Sequence, residues 1–159
     1  MAIQRQPDML FQVRLSRAES SGKVCVTRVP AATLAAYRAA IYEIGSLRLR
    51  IGEDSDAASS LLRDKNVQSA AIVTAYNPES VPLCEAENGA AHENLRRATV
   101  LYASLPTRAI DPTGAWPPEP GVLLLGITAD AAVALGQKFR QNAIVWIVPD
   151  EAPKLLLLR

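Results

Sequence analysis

At 159 residues, with 49% apolar and 21% charged side chains, the chain suits one folded domain and is neither two full domains nor a disordered segment. Seventeen basic against sixteen acidic residues leave a formal charge of +1, so no broad positive field gathers nucleic acid or an anionic membrane. The cysteines, Cys25 and Cys84, stand 59 positions apart without CxxC spacing, and a single histidine builds no cluster; neither a disulfide framework nor a metal site is signalled, and no cofactor is expected.

The first residues, MAIQRQPDMLFQVRLSR, lack the continuous apolar stretch of a secretory signal. The apolar runs at 122–125, 143–148 and 155–158 fall far below the ~20 residues needed to span a bilayer, so no membrane partner and a cytoplasmic location are expected. Met9, Phe11, Val13 and Leu15 alternate with polar neighbours, and a Gly22 turn leads to Val24, Cys25 and Val26, which predicts an N-terminal hairpin within 1–29. From 30 to 44, Leu34, Tyr37, Ile41 and Ile44 fall at helical spacing, with Pro30 in the first turn and Gly45 as the stop. Leu47, Leu49 and Ile51 predict a strand, followed by a short helix through Leu62.

Residues 69–76 carry small and β-branched side chains on both faces, as a central strand covered on both sides would, and Asn77-Pro78 ends it. Asn88 is expected to cap a helix over 88–104 with Ala91, Leu95, Ala98, Leu101 and Tyr102 on its apolar face. Five prolines between 106 and 120, with Gly114 and Trp116, predict the longest loop. A strand at 122–127, a helix at 129–139 capped by Thr128, and strands at 143–148 and 154–158 complete the chain. Strands alternating with helices in the second part, and hairpin-like neighbours at both ends, predict an α/β (mixed α+β) fold. The expected unit is a single domain, 1–159, with a mixed sheet and packed helices.

Four short motifs stand in a definite order: Thr74-Ala-Tyr-Asn-Pro78; Glu93-Asn94 with Arg97; Asp111, Gly114, Trp116 and Glu119-Pro120; and Phe139-Arg-Gln-Asn-Ala-Ile-Val145. This order and spacing, over roughly 68–148, resembles a bacterial family known as domain of unknown function 3293. The resemblance implies a single cytosolic domain and brings no reaction, cofactor or ligand with it. The family pattern has a serine after the Glu-Pro pair, where this chain has Gly121.

No GxxxxGK[ST], GxGxxG or GxSxG signature is present, and His92-Glu93 is not a zincin motif, because Arg96 stands where the second histidine is required. On an ideal helix counted from Ala91, Glu93, Arg97 and Asn94 lie near about 200°, 240° and 300°, along one flank beside the apolar arc. His92 and Arg96 then fall on the opposite flank and are expected in solvent. Glu93 and Arg97 read either as a surface i,i+4 pair or as a guanidinium fork, oriented by Glu93 and presented to a carboxylate or phosphate. Asn77 follows the central strand at its carboxyl end, where open α/β sheets bind ligands, or it is simply an Asn-Pro turn. Trp116 and Glu119 either face a cleft from a rigid loop or hold that loop on the core. Gln141 reads as a ligand contact or as a bond to a strand end. Cys84 lacks a base in a recognisable relation and is a poor candidate nucleophile.

If Asn77, Glu93, Asn94, Arg97, Trp116, Glu119 and Gln141 converge, the expectation is a cleft binding a small polar or anionic metabolite, nucleotides included. Turnover stays open, with Glu93 or Glu119 as general base. The alternative is a non-enzymatic interaction or accessory module, homodimer included, that docks through the Trp116 loop and the apolar C-terminal strand. Burial separates the two: a docking surface leaves Trp116 and the tail exposed, and a ligand site gathers them around a concavity.

Overall fold

The computed structural model describes residues 27–159; the hairpin expected before them and Cys25 lie outside the described residues. The helix expected to reach Ile44 stops at Ala39 (α1, Ala31–Ala39) and is replaced by a hairpin of β1 (Ile41–Ile44) and β2 (Leu47–Leu49). The Ile41 and Ile44 spacing fits a helix, but Tyr42, Ile44 and Leu49 gain burial by alternation, and Gly45 takes φ +59° in the two-residue turn.

In α2 (Asp56–Asp64), capped by the Ser55 hydroxyl accepting from Ala58 N at 3.2 Å, Ala58, Ser59 and Leu62 are buried. The strand β3 (Ala70–Val73) is buried at every residue, as its two-faced composition predicts. It is shorter than the expected 69–76.

The helix expected over 88–104 is α3 (Glu85–Ala98). Its start moves forward because the Glu87 carboxylate accepts from Cys84 N at 3.0 Å, leaving Asn88 buried inside the helix instead of capping it. At the other end the Thr99 hydroxyl donates to Leu95 O at 2.9 Å and the chain turns away, leaving Leu101, assigned to the apolar face, 95% exposed.

The expected long loop is mostly sheet. β4 (Ser104–Ile110) and β5 (Glu119–Leu125) pair across it, leaving 111–118 as the connection. Proline did not forbid these strands because of where its missing N–H points. The Leu125 N to Ala103 O bond sets the ladder's alternation, so Pro106 and Pro120 fall on positions whose nitrogens face away from the β4–β5 ladder. They face past the registered ends of the neighbouring strands, where no ladder partner waits. The last elements, α4 (Ala129–Lys138), β6 (Ala143–Ile147) and β7 (Lys154–Leu157), follow expectation within a residue or two.

The seven strands of the described residues form one sheet in the order β2-β1-β4-β5-β3-β6-β7. The fold class is the mixed α/β single domain indicated by the sequence. The pairing is more uniform than a mixed sheet, since every neighbouring pair is antiparallel. Alternation splits the core between two faces. Ala70, Ile72, Leu123, Leu125, Val145 and Ile147 point to the α2 side, with Leu62 and Leu49. Ala71, Val73, Val122, Leu124 and Ile144 point to the other side, where Leu95 of α3 and Ala132 of α4 cover them.

Among the described residues, the helices cover the first face incompletely. With nine residues, α2 is only ~14 Å long and packs over one part of it. α1 lies against the remainder, and not one of its residues is buried.

Candidate functional site

The uncovered part of that face is a cavity of about 460 Å³ between α1 and the sheet. Its floor is Tyr42, Ile72, Val145 and Leu155, with Ala109 beside them, and α1 closes it from above with the small side chains Ala32, Thr33 and Ala36. A large residue at 32 or 36 would fill this space; the alanines leave it open. Most of the wall is apolar, and among the described residues its charged side chains are two carboxylates, Asp111 and Glu119.

One end of the cavity is a connected polar cluster. Glu119 Oε1 accepts from Asn77 Nδ2 at 2.7 Å and from the Trp116 indole Nε1 at 2.8 Å. Asn77 sits in the left-handed region at φ 43°, an uncommon conformation for a residue other than glycine. Asn88, 4% exposed, holds it there: Asn88 Oδ1 accepts from Asn77 N at 2.8 Å, and Asn88 Nδ2 donates to Asn77 Oδ1 at 2.9 Å and to Leu83 O at 3.2 Å. Asn77 Oδ1 accepts in addition from Leu83 N at 2.9 Å. The strained path continues, since Glu79 and Ser80 both have φ of 59°. Arg159 and Arg140 brace it through the Glu79 carboxylate, and their hydrogen bonds hold its carboxyl below the usual range.

The loop bearing Trp116 is wound on Asp111, whose carboxylate accepts from Thr113 N at 2.8 Å, the Thr113 hydroxyl at 2.7 Å and Trp116 N at 3.0 Å. These bonds, Thr113 first, keep the Asp111 carboxyl below its ordinary range. α1 is tied to the same end by Tyr37: its hydroxyl lies 2.6 Å from Ser80 Oγ and accepts from Asn142 Nδ2 at 3.0 Å. Tyr42 donates to Tyr37 O at 3.0 Å, and burial, with Tyr37 and Glu119 nearby, pushes its phenol well above the usual value.

Thr107 and Gly121 face each other across β4 and β5 on the cavity wall. A Cβ on Gly121 would lie 2.8 Å from Thr107 Oγ1 and 2.9 Å from Val73 O, so a side chain there has no room. The hydroxyl expected at 121 from the family pattern is absent, and the Thr107 hydroxyl occupies that stretch of wall.

Of the seven residues singled out, four line this cavity: Asn77, Trp116, Glu119 and Gln141. Gln141 is buried, and its Nε2 donates to Tyr76 O and Phe139 O, both at 3.2 Å, joining a strand end to a helix end. The other three do not join the cavity. Glu93 and Arg97 form an exposed pair at 3.5 Å on α3, with the Arg97 side chain 74% exposed, and Asn94 is exposed beside them. The physical reason is helix phase. The buried seam of α3 runs through Asn88, Leu95 and Thr99, and counted from Leu95 both Glu93 and Arg97 lie about 200° away.

The same phase corrects His92, expected in solvent: it lies about 60° from Leu95, is half-buried, and meets Tyr76 edge to face with ring centroids 6.0 Å apart. Its Nδ1 is buried without a partner, and burial pushes its pKa down. Arg96 is exposed as expected, and Cys84 is a free, exposed thiol.

The sequence reading missed Asn88 as a lock, Thr107 as a wall residue and the tyrosines of α1 and β1. For Thr107 a signal existed, since Leu105, Thr107 and Ala109 alternate inward, but the prolines around them read as loop. Among the described residues no group of three or more His, Cys, Asp or Glu side chains could hold a metal ion, and no helix is long and apolar enough to cross a membrane.

No curated protein and no solved structure matches the chain. Residues 73–144 match the family model described as Protein of unknown function (DUF3293). This segment runs from the end of β3 into β6 and contains the strained turn, the Trp116 loop and all seven residues singled out. The family whose model matches this segment is the one that the four motifs resemble.

Proposed function

We propose that the protein binds a small molecule in the cavity between α1 and the sheet, apolar body inward and polar end toward Asn77, Trp116 and Glu119. The observation that carries this reading is the cavity itself, about 460 Å³ with a mostly apolar wall and a polar cluster at one end, within the size range of ligand sites. The anionic ligand suggested by Arg97 loses its support, since among the described residues the cavity wall includes no lysine or arginine and offers two carboxylates. A docking role for Trp116 and the C-terminal strand is less well supported. The Trp116 N–H is turned to Glu119, Leu155 faces the cavity, and Leu156 and Leu158 pack on the opposite core.

The test is Nile red, a neutral apolar dye, titrated into the full chain with its fluorescence recorded. Saturable binding is expected. Ala36→Trp, which places a large ring into the cavity from an exposed helix position, should weaken it at least about tenfold, a loss of about 1.4 kcal/mol. Unsaturable binding, or equal binding by the two proteins, would sink the cavity reading. A concentration-dependent dimer without dye binding would favour the docking module instead.

A further inference from the structure

We infer that the ligand of this cavity is a cation, a protonated amine on a flat apolar body, with Glu119 as its counter-charge. The inference rests on the small-molecule reading above and assigns the charge of the ligand. Glu119 is half-buried and makes no ion pair with any described residue; its Oε1 is filled by Asn77 and Trp116, and its Oε2 accepts no hydrogen bond from any described residue. The second carboxylate on the wall, Asp111, is already occupied by the backbone and hydroxyl of its own loop. A carboxylate in a mostly apolar cavity is poorly served unless a positive charge meets it, and there the attraction is weakly screened.

An independent observation points to an occupant. The Thr107 hydroxyl, on a residue 4% exposed, stands in the cavity wall over Gly121 and makes no hydrogen bond to any described residue. The hydroxyl is open to the cavity, where a polar atom of the ligand would meet it. The aromatic rings of Trp116 and Tyr42 supply the faces on which a cationic or flat aromatic group is favoured.

The experiment uses three indoles of one shape and different charge, tryptamine (cation), tryptophol (neutral) and 3-indolepropionate (anion), titrated calorimetrically into the full chain. Tryptamine is expected to bind at least about tenfold tighter than tryptophol, and 3-indolepropionate weakest. Glu119→Gln keeps an oxygen for Asn77 and Trp116, so it should abolish the charge preference, bringing the ratio of tryptamine to tryptophol affinity within about twofold of one. The wild-type series decides even if the variant folds poorly. An anion that binds as tightly as the amine, or a variant that folds and keeps the amine preference, overturns the inference. Nile red distinguishes the two failures. If tryptophol displaces the dye but the charge order is wrong, only the cation assignment falls; if nothing displaces it and Ala36→Trp is silent, the cavity reading falls as well.

Discussion

Replacing Asn88 by alanine removes the side chain that holds Asn77 in its left-handed conformation. Three hydrogen bonds go with it: those to Asn77 N, Asn77 Oδ1 and Leu83 O. At about 1 kcal/mol net for each, and with water able to reach the half-exposed Leu83 side of the site, the loss is about 2–3 kcal/mol. For a chain of this size that lowers Tm by about 4–12 °C. Asn88→Asp is nearly the same shape and keeps an acceptor for Asn77 N, so packing alone predicts a milder change. Electrostatics predicts the reverse. The aspartate would place a desolvated carboxylate oxygen against Asn77 Oδ1 and Leu83 O, where the amide nitrogen now sits at 2.9 and 3.2 Å. Its carboxyl pKa would then be raised in the folded state, so the variant loses stability as pH rises through about 3.9, the unfolded value. Urea denaturation of the three proteins at pH 7 and near pH 4 reads both effects. If the aspartate variant is more stable than the alanine variant at pH 7, the account of how this turn is held is wrong.

Gly121→Ala should cost about 1–3 kcal/mol by overpacking, because its Cβ would meet the Val73 carbonyl as well as the Thr107 hydroxyl. Adding Thr107→Ala should recover only part of the loss, since the carbonyl is backbone; full recovery in urea denaturation would show the strand spacing to be softer than inferred. His92 is the chain's single histidine, and burial lowers its pKa below the ordinary 6.5. The unfolded chain therefore takes up its proton first, and stability should fall as pH drops from neutral through 6.5 until the lowered folded value is passed. His92→Phe, which keeps a ring against Tyr76, should flatten denaturation midpoints between about pH 7.5 and 5.5 by removing the imidazole proton equilibrium; an unchanged slope would contradict the burial of Nδ1.

Much of the core was legible in the residues because its signals are local. The β3 sequence Ala70 to Val73, small and β-branched on both faces, is that of an interior strand, and Thr128 caps α4 with a hydroxyl that the sequence displays in plain order. Four of the residues that line the cavity, Asn77, Trp116, Glu119 and Gln141, were also singled out from the sequence, because turn chemistry, an aromatic near a carboxylate and a polar residue past a helix end are visible without knowing the fold.

What the sequence could not decide depended on phase and register. The choice of which residue centres the buried seam of α3 sends Arg97 outward and His92 inward, and that choice belongs to the sheet beneath it. The prolines of β4 and β5 speak for a loop until the ladder's alternation shows their nitrogens to face where no partner is needed. The cavity is still less local: among the described residues it arises because a nine-residue α2 covers only part of one sheet face and the alanines of α1 do not fill the rest, a mismatch between separate elements of the chain.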